Sequence, residues 1–253
     1  VITIPKDLGW QEIEDNYVSS ANLYQKPLPL EPAAEKIQEA WKLLQEAKRP
    51  LIYIGQGTRG ARKEILELSK MLHAPILSSA LGKGIVPDNA PAYMGSAGRV
   101  ASKPGVEIAS NTDAVLFLGS DMPFQSFFIP KDAKYIQVDI DGTKFGRRHQ
   151  VDLAILADAK LTIKKLMEVG EQLPETNWYR AAIADKENWL EWLEKGSVID
   201  SSPLEVEPVF KAINDMATDD AIFQVDVGNV TIDGMRLLDT SKDQKFTTSG
   251  WYA

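Results

Sequence analysis

The chain of 253 residues is long enough for one large domain or two modest ones, with the apolar and charged fractions of an ordinary globular protein, 44% and 25%. A formal charge of −8 argues against a nucleic-acid surface or an anionic membrane, so any phosphate site must be a local cluster of N–H groups, Arg and Lys. The absence of cysteine excludes disulfides, thiolate catalysis and cysteine metal sites and fits a cytoplasmic setting, while His73 and His149 are too few for a histidine metal cluster.

Residues 1–34 lack regular periodicity, carry Pro5, Pro27, Pro29 and Pro32, and read as an extended interdomain linker. Helical spacing begins over residues 34–47 with Ile37, Ala40, Trp41 and Leu44, and Pro50 closes it. A strand over residues 51–54 runs straight into Gly55-Gln56-Gly57-Thr58-Arg59-Gly60, and a helix follows over residues 61–72. Strand, glycine turn, helix is the arrangement in which free helix N–H groups meet an anion, and Arg59 adds a forked donor suited to phosphate. The loop is read as departing from the dinucleotide fingerprint, with Arg62 where a third glycine is expected.

Further strands are expected over residues 75–79, 114–118, 135–140 and 153–156, with helices over 106–110 and 159–169. Such apolar strands separated by helices predict an α/β fold, a parallel sheet covered by helices on both faces. Residues 173–203 are expected to be a connecting helix with Trp178, Trp189 and Trp192. A helix over 205–217, a strand over 221–227 and a helix to Leu238 then predict a second, incomplete α/β unit at 204–253. The chain starts at Val1 and stops inside what reads as an unfinished element, and a segment of a longer protein is expected. No apolar run approaches the roughly 20 residues of a membrane helix, and no signal peptide is visible.

Each candidate site has a plainer alternative. Gly55, Gln56, Gly57, Thr58 and Arg59 hold a phosphate or form only a tight turn. The turns containing Lys83 and Gly95, Ser96, Ala97 and Arg99 combine small residues with one cation, as a pyrophosphate site does and as many surface loops do. Gly119, Ser120, Asp121, Met122 and Pro123 end a strand and either underlie a ligand or simply turn the chain. Asp139 and Ile140 close a strand where carboxylates usually hold ribose hydroxyls. Asp158 and Ala159 suit that pocket or a helix N-cap. His149 is read as a surface residue, and His73 as meeting helix-terminal carbonyls. The tryptophans of the long helix are read as core or interface.

Taken together, Gly55-Gln56-Gly57-Thr58-Arg59, Lys83-Gly84-Ile85-Val86-Pro87-Asp88, Tyr93-Met94-Gly95-Ser96-Ala97, Tyr135-Ile136-Gln137-Val138-Asp139-Ile140-Asp141 and Asp226-Val227-Gly228 resemble the thiamine-diphosphate enzymes of the pyruvate oxidase and acetohydroxyacid synthase type. Ser96-Ala97-Gly98-Arg99-Val100, Gly146-Arg147-Arg148-His149 and Leu156-Ala157-Asp158-Ala159 are most similar to the phosphate-dependent pyruvate oxidases of lactic-acid bacteria.

The resemblance implies a linker at 1–34, a central FAD-binding domain at 35–172, and the start of a thiamine-diphosphate domain at 204–253. It implies that Gly55 to Arg59 and Arg99 face the FAD pyrophosphate and ribityl chain, and that Gly95, Ser96 and Ala97 line the flavin side. Gly119 to Pro123 would run under the cofactor, and Asp139, Ile140, Asp158 and Ala159 would meet its adenosine half. Gly228, Asn229 and Val230 would begin the thiamine diphosphate site. No catalytic residue and no metal ligand is expected in this stretch. The intact protein is implied to use FAD, thiamine diphosphate and Mg²⁺, to turn pyruvate, phosphate and O₂ into acetyl phosphate, CO₂ and H₂O₂, and to be a cytoplasmic homotetramer. A quinone-linked pyruvate dehydrogenase, an acetolactate synthase with a structural FAD and a non-catalytic nucleotide-binding module are the rival readings.

Overall fold

Strand β1 (Pro50–Ile54) is buried at every residue and stands near the middle of the sheet. Its flanks are β2 (Ile76–Ser78), β3 (Tyr93–Ser96), β4 (Ala114–Leu118), β5 (Lys134–Asp139) and β6 (Leu153–Leu156). The computed structural model describes residues 3, 5–14, 28–121, 128–198 and 202–249, and arranges these strands in the order β3-β2-β1-β4-β5-β6. Every pairing is parallel. The expected parallel α/β sheet is therefore present.

Successive side chains on a strand point to opposite faces. Ile52, Ile54, Leu116, Leu118, Ile136 and Val138 meet α1 (Ala34–Glu46), α2 (Arg62–Leu72) and α4 (Ala159–Val169) through Ile37, Leu44, Ile65, Leu68, Ile163 and Leu166. Leu51, Tyr53, Val115, Phe117 and Tyr135 meet the other face, which α3 (Lys103–Asn111) and α5 (Asn177–Gly196) cover. Burial on both faces is why these strands read as unbroken apolar runs. Removing a Leu or Ile side chain from water contributes roughly 1.5–3 kcal/mol, so this double layer supplies the main stabilisation.

Two strands escaped the sequence reading. Residues 93–96, taken as the lead into a loop, form edge strand β3, so Gly95 and Ser96 are strand residues. Small residues carry little strand signal. The pairing is recognisable only from β2, through Ile76↔Tyr93 and Ser78↔Ser96 and the 2.7 Å bond between the Ser78 and Tyr93 hydroxyls. The second is β8 (Lys245–Thr248), which pairs in parallel with β7 (Ile222–Val225). These two strands, α6 (Val206–Met216) and α7 (Asn229–Leu237) form a smaller unit around Phe210, Val225, Met235, Leu238 and Phe246.

The long helix α5 changes character along its length. Trp178 donates its indole N–H to the Pro50 carbonyl at 3.0 Å and packs on the sheet. Trp189 and Trp192 stack on each other at 5.0 Å, and Trp192 is exposed. Of the linker, Leu30 is placed by its carbonyl, which accepts the Asp158 N–H at 2.8 Å beside α4.

Candidate functional site

In a parallel sheet all carboxyl ends lie along one edge. The strand order reverses between β1 and β4, because the chain passes from edge strand β3 through α3 back to the far side of β1. The crevice outside such a switch point is where open α/β sheets bind ligands. The loop after β1 and the loop after β4 meet there. Gly55 N–H donates to the Leu118 carbonyl at 2.9 Å, and Gly57 N–H to the Gly119 carbonyl at 3.1 Å.

The contact leaves no room for side chains. Gly119 has φ +57°, and a Cβ there would stand 2.6 Å from the Gly57 Cα. A Cβ on Gly55 would stand 2.3 Å from the Gly119 carbonyl oxygen. The first demand on these glycines is thus loop-on-loop packing, and it brings two backbone loops together at the switch point. Thr58 is fully buried and returns its hydroxyl to the Gly55 carbonyl at 2.8 Å. Gln56, Gly57 and Arg59 remain exposed on the outer surface of the loop. No side chain caps the N-terminus of α2.

The fingerprint expectation needs one correction. Gly55, Gly57 and Gly60 stand at the G-x-G-x-x-G spacing, so the third glycine is Gly60. Arg62 is the first residue of α2 and holds the Ile85 and Gly84 carbonyls at 2.8 and 3.0 Å.

The remaining predicted residues fall along the same edge. At the outer end, Ser96 donates its hydroxyl to the Val100 carbonyl at 2.8 Å, Ala97 is buried and Arg99 is exposed. After β4, Ser120 is buried, and the Asp121 carboxylate pairs with Arg147 at 3.1 Å and Arg148 at 3.5 Å. Met122 and Pro123 lie outside the described residues.

At the end of β5, Asp139 Oδ1 accepts the Asp141 N–H at 2.9 Å, and Ile140 is 70% exposed, an apolar side chain presented at the crevice edge. Burial holds the Asp139 carboxyl above the usual aspartate range, against the lowering effect of that hydrogen bond. Asp158 is the N-cap of α4, accepting the Leu161 N–H at 2.9 Å, and Ala159 is buried in the core. The capping alternative accounts for Asp158 by itself. Gly228, Asn229 and Val230 begin α7 on the other sheet, after β7, so they are not part of this edge.

The sequence reading missed what lies beneath Asp121. His149 is not a free surface residue. Its ring packs on Tyr135 at 3.7 Å and near Phe117 at 5.8 Å, and burial lowers its imidazole below the ordinary histidine value. Phe117 and His149 line, with Ser120, Asp121, Gln137, Lys144 and Arg148, a cavity of about 10 Å³, room for about one water. Asp121 Oδ1 is buried there without a hydrogen bond. The segment between β5 and β6 is mostly polar, with Arg147 and Arg148 beside His149, and nothing local in it marks the ring contacts.

Larger concavities lie elsewhere. An apolar trough of about 660 Å³ runs along α6 and β7 past Val209, Ile213, Met216 and Ile222. A cleft of about 460 Å³ separates α5 from α6 and α7, with Lys186 among its lining residues. His73, the left-handed C-cap of α2, donates its backbone N–H to the Ser69 carbonyl of that helix, while its ring Nδ1 meets the Leu173 carbonyl at 2.9 Å. Among the described residues no group of His, Asp and Glu is arranged to hold a metal ion, and no helix is long and apolar enough to cross a membrane.

A family model described as the thiamine pyrophosphate enzyme central domain matches residues 37–166. The chain is 40% identical over 256 residues to a pyruvate oxidase of Lactiplantibacillus plantarum, across 100% of this chain and 42% of that protein. It is 30% identical over 253 residues to a putative thiamine pyrophosphate-containing protein of Bacillus subtilis, across 100% of this chain and 44% of that protein. A probable acetolactate synthase large subunit of Methanococcus aeolicus is 29% identical over 243 residues, across 85% of this chain and 39% of that protein. The chain thus spans about two fifths of the length of these relatives.

Proposed function

The chain belongs to the thiamine pyrophosphate enzymes, and from that membership we propose that it is the FAD-binding part of an oxidase that converts pyruvate, phosphate and O₂ into acetyl phosphate, CO₂ and H₂O₂. The observation that carries this reading is the pair of glycine loops after β1 and β4, joined at the switch point, in a chain similar over its whole length to a pyruvate oxidase.

The residues at that edge fit a dinucleotide. The Gly55 to Arg59 loop presents backbone and one exposed guanidinium, the chemistry that a pyrophosphate takes. Exposed Ile140 offers an apolar surface to an adenine, and Asp139 keeps Oδ2 for a ribose hydroxyl while Oδ1 is held by the Asp141 N–H. Ser96 and Asp158 take part through backbone and position, because their side chains already brace their own turns.

When bound, FAD supplies acceptance of two electrons; the protein's share is binding, orientation and local charge. The sheet, buried on both faces, holds the two loops, and the Asp121–Arg147–Arg148 cluster sets the charge beside them. Thiamine diphosphate and Mg²⁺ belong to the intact protein, with Gly228, Asn229 and Val230 at the start of the thiamine site. We place that protein in the cytoplasm as a homotetramer.

The test is oxygen uptake by the full-length protein with pyruvate, with and without phosphate, together with its flavin content. Phosphate-stimulated uptake by a yellow protein is expected. Arg59→Ala should lower FAD affinity about tenfold, the loss of one charge-assisted hydrogen bond. A protein that binds no FAD at micromolar concentration overturns the site. Flavin retention with acetolactate formation and no oxygen uptake assigns the chain to the acetolactate synthases instead.

A further inference from the structure

Besides the Arg236 Nε bond to the Ala101 carbonyl at 2.8 Å, the contact between the two sheet units holds one carboxylate with partners on both sides. Asp88 lies in the segment after β2 that joins the switch-point edge, where the Ser79 N–H bonds the Ile54 carbonyl at 2.9 Å. Lys83 Nζ reaches both Asp88 oxygens, at 3.0 and 2.9 Å. From the smaller unit, the Thr240 N–H and hydroxyl donate to Asp88 Oδ2 at 2.7 and 2.6 Å. From α5, Lys186 Nζ donates to the Asp88 and Ala90 carbonyls at 2.7 and 2.5 Å. The next backbone N–H, that of Asn89, donates to the Ser241 hydroxyl at 3.0 Å. Lys83, Lys186 and Thr240 are 4%, 7% and 0% exposed.

We infer that Asp88 is a charge-dependent latch that fixes the smaller unit on the carboxyl edge of the six-stranded sheet. The apolar seam between the units is thin. The core of the smaller unit takes only Ala80 and Val100 from the larger one, and a few apolar contacts do not fix an orientation. Hydrogen bonds to a carboxylate are directional and roughly twice as strong as neutral ones. The carboxylate also compensates Lys83, which is buried with no other charge partner among the described residues. Loss of the carboxylate leaves an uncompensated buried cation at the seam, which is strongly destabilising there. The latch needs no bound cofactor, so it stands apart from the flavin reading.

Amide hydrogen exchange of the intact protein, without added cofactor, tests this. Asp88→Asn and Thr240→Val should each exchange at least tenfold faster over residues 206–248, while peptides from β1, β4 and β5 keep their protection. Thr240→Ser, which retains the hydroxyl, should restore the slow exchange. Should Asp88→Asn fail to fold, Thr240→Val carries the test, because it removes one hydroxyl at nearly constant volume. Unchanged exchange over 206–248 overturns the latch. So does equal acceleration in both units, which marks a general contribution to stability.

Discussion

Strands β4 and β7 are both short apolar runs, yet β4 is buried at every residue whereas β7 is buried only at Val225 and leaves Ile222 67% exposed. The difference lies in what covers them. Helices lie on both faces of the six-stranded sheet, and the two-stranded sheet has α6 and α7 and an open apolar trough. A strand gains stability from the layers around it more than from its own residues. Among the described residues the larger unit is thus covered on both faces of its sheet, and the smaller one is covered less completely.

The sharpest way to break this contrast is to hollow each core by one ring. Phe117 packs against Tyr53 at 5.1 Å and Tyr135 at 5.8 Å. Phe117→Ala should destabilise the whole chain by about 3–5 kcal/mol in urea unfolding. Phe246→Ala should instead loosen residues 206–248 and leave the protection of the large sheet unchanged. Equal global losses would mean that the two units unfold as one.

Next in size is Gly119→Ala. It combines left-handed strain with a clash against Gly57, and should cost about 2–4 kcal/mol in the same measurement. A loss under 1 kcal/mol would mean that the loops part easily and that the switch point is not rigid.

A smaller effect concerns pH at the seam. Burial pushes the Lys186 ammonium down to about 8, against the opposing influence of Asp88 and Asp239 and with Lys83 adding to the fall. The folded state therefore binds its proton less tightly than the unfolded chain. Below about pH 8 folding carries the full cost of a buried cation, and stability rises as pH climbs toward the unfolded value near 10.5. Wild type should gain on the order of 1–3 kcal/mol relative to Lys186→Met between pH 8 and 10.5. Parallel pH profiles for the two proteins would refute this.

The smallest effect separates two roles of one residue. Asp158→Ala removes the α4 cap and should cost about 1 kcal/mol in thermal unfolding, with flavin affinity unchanged. A weakened flavin complex would return Asp158 to the cofactor site.

Much of the large sheet was legible in the chain. Residues 51–54, 114–118 and 135–140 were read as apolar strands buried on both faces, although the last ends at Asp139, and the glycines between strand and helix marked the turns. Edge strand β3 was not legible, because Tyr93-Met94-Gly95-Ser96 declares itself only once Ile76 and Ser78 are beside it. The half-buried state of His149 was not legible either, since it comes from Tyr135 and Phe117, 14 and 32 positions earlier in the chain. On α5, Ala182 and Lys186 are one turn apart and are its only buried residues, a spacing that singles out Lys186 in retrospect.

Local chemistry thus determined the elements by itself: apolar period, turn glycines and caps are short-range properties that each segment carries. Which loops touch was decided only by the tertiary structure. Strand order put Gly57 against Gly119 across 62 positions, and the packing of the smaller unit put Thr240 on Asp88 across 152. Contacts at such separation follow from how whole layers bury their faces together, and no window of sequence contains them.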